Sequence, residues 1–269
     1  MAGKTLIGGT AYTISGGKAC ISGASHDISQ GKTMIGGTVY NINFKKSTKI
    51  STLPVGSIVK LKVNGTSKDF IIVHQGNPST SVYDASCNGT WLLMKDIYAT
   101  RQWHSSDVND YANSTINSYL NGTFLGLLGA NIQAAIKQVK IPYRAGSGAG
   151  KTVTKGSNGL SAKIFFLSAT ETGFNHSYMP SSEGATLSYF NGCAADGSDS
   201  KRVAKLNGSA TNWWLRSPCC YSNYGAARVL HVSNKGSWGI SSCTSSHGIR
   251  PAMVLNSNAL VDDNFNVIG

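Results

Sequence analysis

Three copies of a 14-residue unit open the chain: GKTLIGGTAYTIS from Gly3, GKACISGASHDIS from Gly17 and GKTMIGGTVYNIN from Gly31. Each reads as Gly-Lys, a short strand, a glycine turn and a second alternating strand. Glycines between two such runs are a hairpin signal. A hairpin this small cannot bury a core alone. The units must therefore stack on one another, or on copies from other chains. Residues 1–46 are expected to form a small all-β module of hairpin repeats, a short solenoid or stalk that serves attachment or oligomerisation.

After Phe44-Lys45-Lys46-Ser47-Thr48, which reads as a linker, the pattern changes. Residues 47–269 are expected to be one globular domain. Val55 to Val63 and Phe70 to His74 alternate around Asn64-Gly65, a second hairpin signal. Trp91-Leu92-Leu93-Met94 reads as a buried strand. Ser106-Asp107 are placed to cap a helix carrying Val108, Tyr111, Ile116, Tyr119 and Leu120, stopped at Asn121-Gly122. A second helix is expected over Ala130 to Val139, and a strand over Ala162 to Leu167. Ser168 to Glu171 has the pattern of a helix start. Short strands alternate with Gly and Ser turns from Trp213 to Leu255. Helices early and strands late make an α+β class.

The charge balance narrows the function. The 269 residues carry 24 Lys+Arg against 12 Asp+Glu, a net +12, but the positive charge is diffuse. No basic run exceeds Lys45-Lys46, so nucleic acid is not an expected partner, whereas adhesion to acidic surfaces such as cell-wall polymers fits. No apolar run approaches the ~20 residues of a membrane span, so no membrane insertion is expected. The first residues lack the basic and apolar regions of a classical signal peptide. Cys20, Cys87, Cys193, Cys219, Cys220 and Cys243 show no C-x-x-C spacing and are expected as free thiols, one longer-range disulfide being left open.

Catalytic signatures are missing from the sequence. GSGAGKT at 146–152 has Ala145 where a phosphate loop needs glycine. There is no G-x-S-x-G elbow. Glu171 and Glu183 are the only glutamates, a poor supply for paired-carboxylate chemistry. The histidines lack metal-ligand spacing. Asp196 and Asp199 come nearest to a calcium cluster. No enzyme, catalytic residue, metal or cofactor is expected.

The C-terminal block carries the most information. Trp213-Trp214-Leu215-Arg216-Ser217-Pro218 and Gly248-Ile249-Arg250-Pro251-Ala252-Met253-Val254-Leu255 enclose 29 residues rich in Ser, Cys, Tyr, Asn and His. The flanks read as buried framework. No acid occurs from Ser200 to Val261, so Arg216 and Arg250 need carbonyls or an acid from the first half of the chain. The insert resembles an antibody paratope, in which Tyr supplies contact area and Ser or Asn adaptable hydrogen bonds.

WWLRSP with GIRPAMVL, together with INSYLNGTF at 116–124, Ile141-Pro142 and IFFLSATE at 164–171, resembles a bacterial and phage domain-of-unknown-function family with a C-type-lectin-like fold. The resemblance covers roughly residues 53–258. It implies that the stretch between the two end motifs is a target of a diversity-generating retroelement, which randomises adenines in template codons. Within 219–247 only Lys235 and Trp238 fall outside the residues such randomisation yields. One departure is Asn117, near which the family's helix often carries Arg. The repeats resemble Gly-rich repeats of phage tail-associated proteins.

The expectation is therefore a receptor-binding, adhesin-like variable protein, on a virion (phage tail) or a bacterial cell surface. Its partner would be a protein or glycan receptor on a target cell, and the repeats would join it to the tail or surface assembly, with a homo-oligomer as another outcome. Tyr221, Tyr224, His231 and Trp238 would anchor the ligand. Asn223, Ser241, Ser242, Thr244, Ser245, Ser246 and His247 would supply hydrogen bonds, all on one exposed face. The alternative is a structural virion or cell-surface component without diversification. A sulfatase-modifying oxidase shares the broader fold, but Cys219, Cys220 and Cys243 do not clearly supply its cysteine pair.

Overall fold

In this computed structural model, residues 47–269 are described in full, and of residues 1–46 only the backbone of six strands. Those strands pair antiparallel in succession: Gly3–Ile7 with Thr10–Ile14, Gly17–Ile21 with Ala24–Ile28, and Gln30–Ile35 with Thr38–Asn43. The turns between them, their stacking and their side chains, Cys20 included, lie outside the described residues. So does the expected solenoid or stalk.

The rest of the chain is mixed α/β, mostly sheet with few helices. The strands of its two five-stranded sheets start with β1 (Ile58–Val63) and β2 (Thr66–Gly76). They close at Asn64 and Gly65, whose φ angles are 48° and 74°. A two-residue turn with both φ positive matches the twist of its strands, which is why Asn-Gly specifies it. Next come β3 (Gly89–Met94), β4 (Ala99–Gln102), β5 (Ile164–Phe165), β6 (Trp213–Pro218), β7 (Arg228–Val232), β8 (Trp238–Ser242), β9 (Ser246–Ile249) and β10 (Ala252–Leu255). One sheet has the order β5-β10-β3-β2-β1, the other β4-β9-β6-β7-β8. Every pairing in them is antiparallel except β6 with β9.

The whole of β3 is buried. Leu92 and Met94 pack with Ile72, Met253 and Leu255 on one side. Trp91 and Leu93 pack with Ile71, Val73 and Val254 on the other. Both faces of this sheet are therefore covered, which is why β3 reads as an unbroken apolar run. Each such side chain contributes roughly 1.5–3 kcal/mol of burial.

Helix α1 (Thr115–Tyr119) and α2 (Ala130–Ala135) cover the first of these faces through Ile116 and Ile132. The expected cap at Ser106-Asp107 is wrong. Ser114 caps the helix, its Oγ accepting the Asn117 amide at 3.2 Å. Nor does Asn121-Gly122 stop it, because the chain runs on through a π-helical turn, Leu120–Phe124. The Asn121 side chain is spent on another element. Its Oδ1 accepts the amides of Lys163 and Ile164, and its Nδ2 donates to the Ile164 carbonyl. The second helix is shorter than expected, since Val139–Ile141 leaves it as a strand pairing with Leu160–Ala162.

Residues 213–218 and 248–255 are all buried, as expected of framework. Arg216 makes a bidentate pair with Glu171, 2.6 Å at each contact, and donates to the carbonyls of Pro142 and Phe166. The acid comes from the middle of the chain, not its first half. Glu171 is itself fixed by the Ser168 amide and the Tyr83 hydroxyl. Ser168 answers by accepting the Glu171 amide, a reciprocal capping arrangement, but the chain turns away at Gly173 (φ 81°) and no helix follows. Glu183 accepts from the Ser217 hydroxyl, and burial pushes its carboxyl up despite Arg216 nearby.

Ser47–Lys49 pairs with Leu260–Asp262, which places the first strand after residue 46 beside the last strand of the chain. The five cysteines among the described residues are free. Among the described residues, no helix is long and apolar enough to cross a membrane.

Candidate functional site

Alternation along β7 and β8 decides where the expected ligand-contacting residues fall. His231 lies opposite Gly239, and Val232 opposite Trp238. Cross-strand partners share a face and successive residues do not. His231 and Ser241 therefore lie on one face and Trp238 on the other. The expectation of a single exposed face is corrected: the eleven side chains fall into three groups.

The first group is a cluster of rings. Tyr221 stacks on Tyr178, centroids 4.5 Å apart and planes 26° apart, and meets Tyr224 edge-on at 5.3 Å. Trp238 lies 4.5 Å from the His176 ring and 6.1 Å from Tyr178. Tyr224 is exposed and the other four rings are half-buried. Three segments deliver them. The buried Cys219-Cys220 pair ends the framework strand, and a 3₁₀ turn, Ser222–Tyr224, lifts Tyr221 and Tyr224 outward. Gly225, at φ 54°, ends that turn. The loop carrying His176 and Tyr178 is tied down by the Cys220 amide donating to the Tyr178 carbonyl at 2.7 Å. Trp238 starts β8, and its indole N–H donates to Asp196. Asn223 donates to the Tyr221 hydroxyl at 2.9 Å.

Beside the rings is an open cavity of about 620 Å³, whose lining includes Lys151, Asn175, His176, Ser181 and Thr186. Aromatic faces next to amide, hydroxyl and imidazole edges can bind a polar ligand with both apolar and directional contacts. The 219–247 window missed His176, Tyr178 and Asp196. A signal for two of them exists: NHSYMPSS at 175–182 has the same Asn, His, Ser and Tyr content as that window.

The second group is largely internal. His231 is buried, and its Nδ1 is 3.2 Å from the Ser241 hydroxyl, which is 2.8 Å from Nε2 of His247. The two imidazoles lie 4.6 Å apart, against Trp214. Gly239 makes room for them, since a Cβ there would sit 2.5 Å from Nε2 of His231. Burial, with His247 adding to it, pushes His231 down to about 4. Burial also lowers His247. Both rings are therefore neutral near neutral pH, and they suit packing better than ligand capture.

The third group is the turn between β8 and β9. Ser242 and Thr244 both donate to Asp107, and the Ser242 bond holds that carboxyl below its usual range. The Ser245 amide closes the turn on the Ser242 carbonyl, and Ser246 is exposed. Asp196 and Asp199, the expected nearest approach to a calcium cluster, have other roles. Asp196 accepts from Trp238, and Asp199 caps the Ser200–Arg202 turn through the Lys201 amide. Among the described residues, no group of three or more His, Cys, Asp or Glu is placed to hold a metal ion.

No curated protein and no solved structure matches the chain. A family described as Domain of unknown function (DUF6273) matches residues 88–257, well over half of the chain. That span contains the buried framework, the ring cluster and the histidine pair, and the chain belongs to this family of uncharacterised domains.

Proposed function

We propose that this chain is a non-enzymatic receptor-binding protein, displaying a diversified surface on a C-type-lectin-like scaffold. The repeats would attach it to a phage tail or a bacterial surface assembly. The observation that carries this reading is the convergence of Tyr178, Tyr221, Tyr224, His176 and Trp238 beside an open polar cavity. Aromatic side chains supply most of the energy at recognition sites, and Asn, Ser and His edges give orientation. Within 219–247, Val229, Leu230, Val232 and Cys243 belong to the core, whereas Ser222, Asn223 and Tyr224 are exposed and Tyr221 and Trp238 half-buried, so it is these surface positions that can vary at little cost to the fold. Ser242, Thr244 and Ser245 have local partners of their own, and His231 and His247 pack internally. The reading therefore narrows to Tyr221, Asn223, Tyr224 and Trp238, joined by His176 and Tyr178.

The test is a screen of bacterial cell-surface glycans, surface proteins and intact cells with the full chain and with Y221S/Y224S. The expected result is a binder for the parent chain, lost in the variant while the melting temperature stays unchanged. Retention of that binding by Y221S/Y224S would overturn the assignment of the surface. A screen in which neither form binds would favour a purely structural component.

A further inference from the structure

Four arginines are buried among the described residues, and they differ in how their donors are met. Arg216 has the carboxylate of Glu171. Arg202 donates to the carbonyls of Thr172, Gly197 and Ala194. Arg144 donates from Nη2 to both oxygens of Asn109, although its Nε has no partner. Arg250, 1% exposed, makes a single hydrogen bond, from Nε to the Met94 carbonyl at 2.8 Å, and its Nη1 has no partner. Its guanidinium lies 4.8 Å from the centre of the Trp213 ring, which offsets part of the charge. A buried cation with unmet donors is costly to a fold unless an anion meets it.

Arg250 lines a pocket of about 310 Å³ that also has Lys95, Asp96, Tyr189, Lys201 and Lys205 in its wall. Four cationic side chains thus face one acid. Asp96 is occupied in part by the Lys205 amide, and Lys95 by Asp69 at 3.5 Å. Lys201 and Lys205 are exposed; Lys201 Nζ donates to the Asn191 carbonyl at 3.2 Å and lies 5.8 Å from the centre of the Tyr189 ring, an exposed contact that a bound anion can replace. A guanidinium with an unmet donor in the wall, together with two exposed ammonium groups, matches an oxyanion of two or more negative oxygens.

We propose that this pocket binds a phosphoryl group, free or carried on a larger molecule. None of the ring-cluster residues lines it, so the inference stands apart from the proposed function. The experiment is calorimetric titration of the full chain with inorganic phosphate and, separately, with glycerol 3-phosphate, ionic strength being held constant with chloride. The expected result is saturable one-to-one binding, weakened about tenfold in K201A/K205A and tightened in D96N. Equal binding of glycerol 3-phosphate supports a phosphate carried on a larger molecule; binding of inorganic phosphate alone supports the free anion. Absence of saturation, or affinities unchanged in both variants, would overturn the site.

Discussion

Glu171 shows how much of the framework depends on single charges. Its carboxylate meets Arg216, the Tyr83 hydroxyl and the Ser168 amide, all of them buried. Glu171→Gln leaves a buried guanidinium without its countercharge and should cost about 3–5 kcal/mol, read as a lowered urea midpoint. That Arg216 needs a partner is evident from its apolar neighbours and from the acid-free stretch around it. Which glutamate supplies it is not, because the pairing spans 45 residues of chain. His231 makes a second prediction. Burial holds it at about 4 against an ordinary 6.5, so below 6.5 the unfolded chain takes up a proton that the fold refuses. Stability should fall as pH drops from 6.5 towards 4 and level off below, a loss of up to about 3 kcal/mol from this group. Urea midpoints against pH should show that component in the parent chain and lack it in His231→Gln.

At the scale of elements, legibility followed the strength of local chemistry. Asn64-Gly65 specifies its hairpin, because few other pairs accept two positive φ angles. Gly65→Val should cost about 1–2 kcal/mol from the left-handed backbone alone, measurable by thermal melting. The first helix was harder to place. Ser106-Asp107 and Ser114 are equal as sequence signals, and the choice is made by tertiary contacts: Asp107 is taken by Ser242 and Thr244. Ser114→Ala should cost about 1 kcal/mol, typical of a lost cap, whereas Ser106→Ala should leave stability unchanged. The phase of β7 and β8 was not legible either. Composition places Trp238 and His231 in one polar insert. Only the pairing register assigns them to opposite faces. A one-residue slip would exchange them.

For the molecule as a whole, the edge of the described domain is set by the pairing of Ser47–Lys49 with Leu260–Asp262. Removal of residues 1–46 should leave a cooperatively folding domain. Removal of residues 1–50 takes away that strand and the buried Ile50, and should lower the melting temperature clearly. The central claim, that the ring cluster is the recognition surface, has an optical handle. Four of the five tryptophans, at 91, 103, 213 and 214, are fully buried, and Trp238 is half-buried within the cluster. Acrylamide quenching of the full chain therefore reads mainly Trp238, with Trp238→Phe as the control that removes the quenchable fraction. Adding the glycan or protein that the chain binds should shield that fraction, and Y221S/Y224S should abolish both the binding and the shielding. Binding that leaves Trp238 as accessible as before would contradict the account.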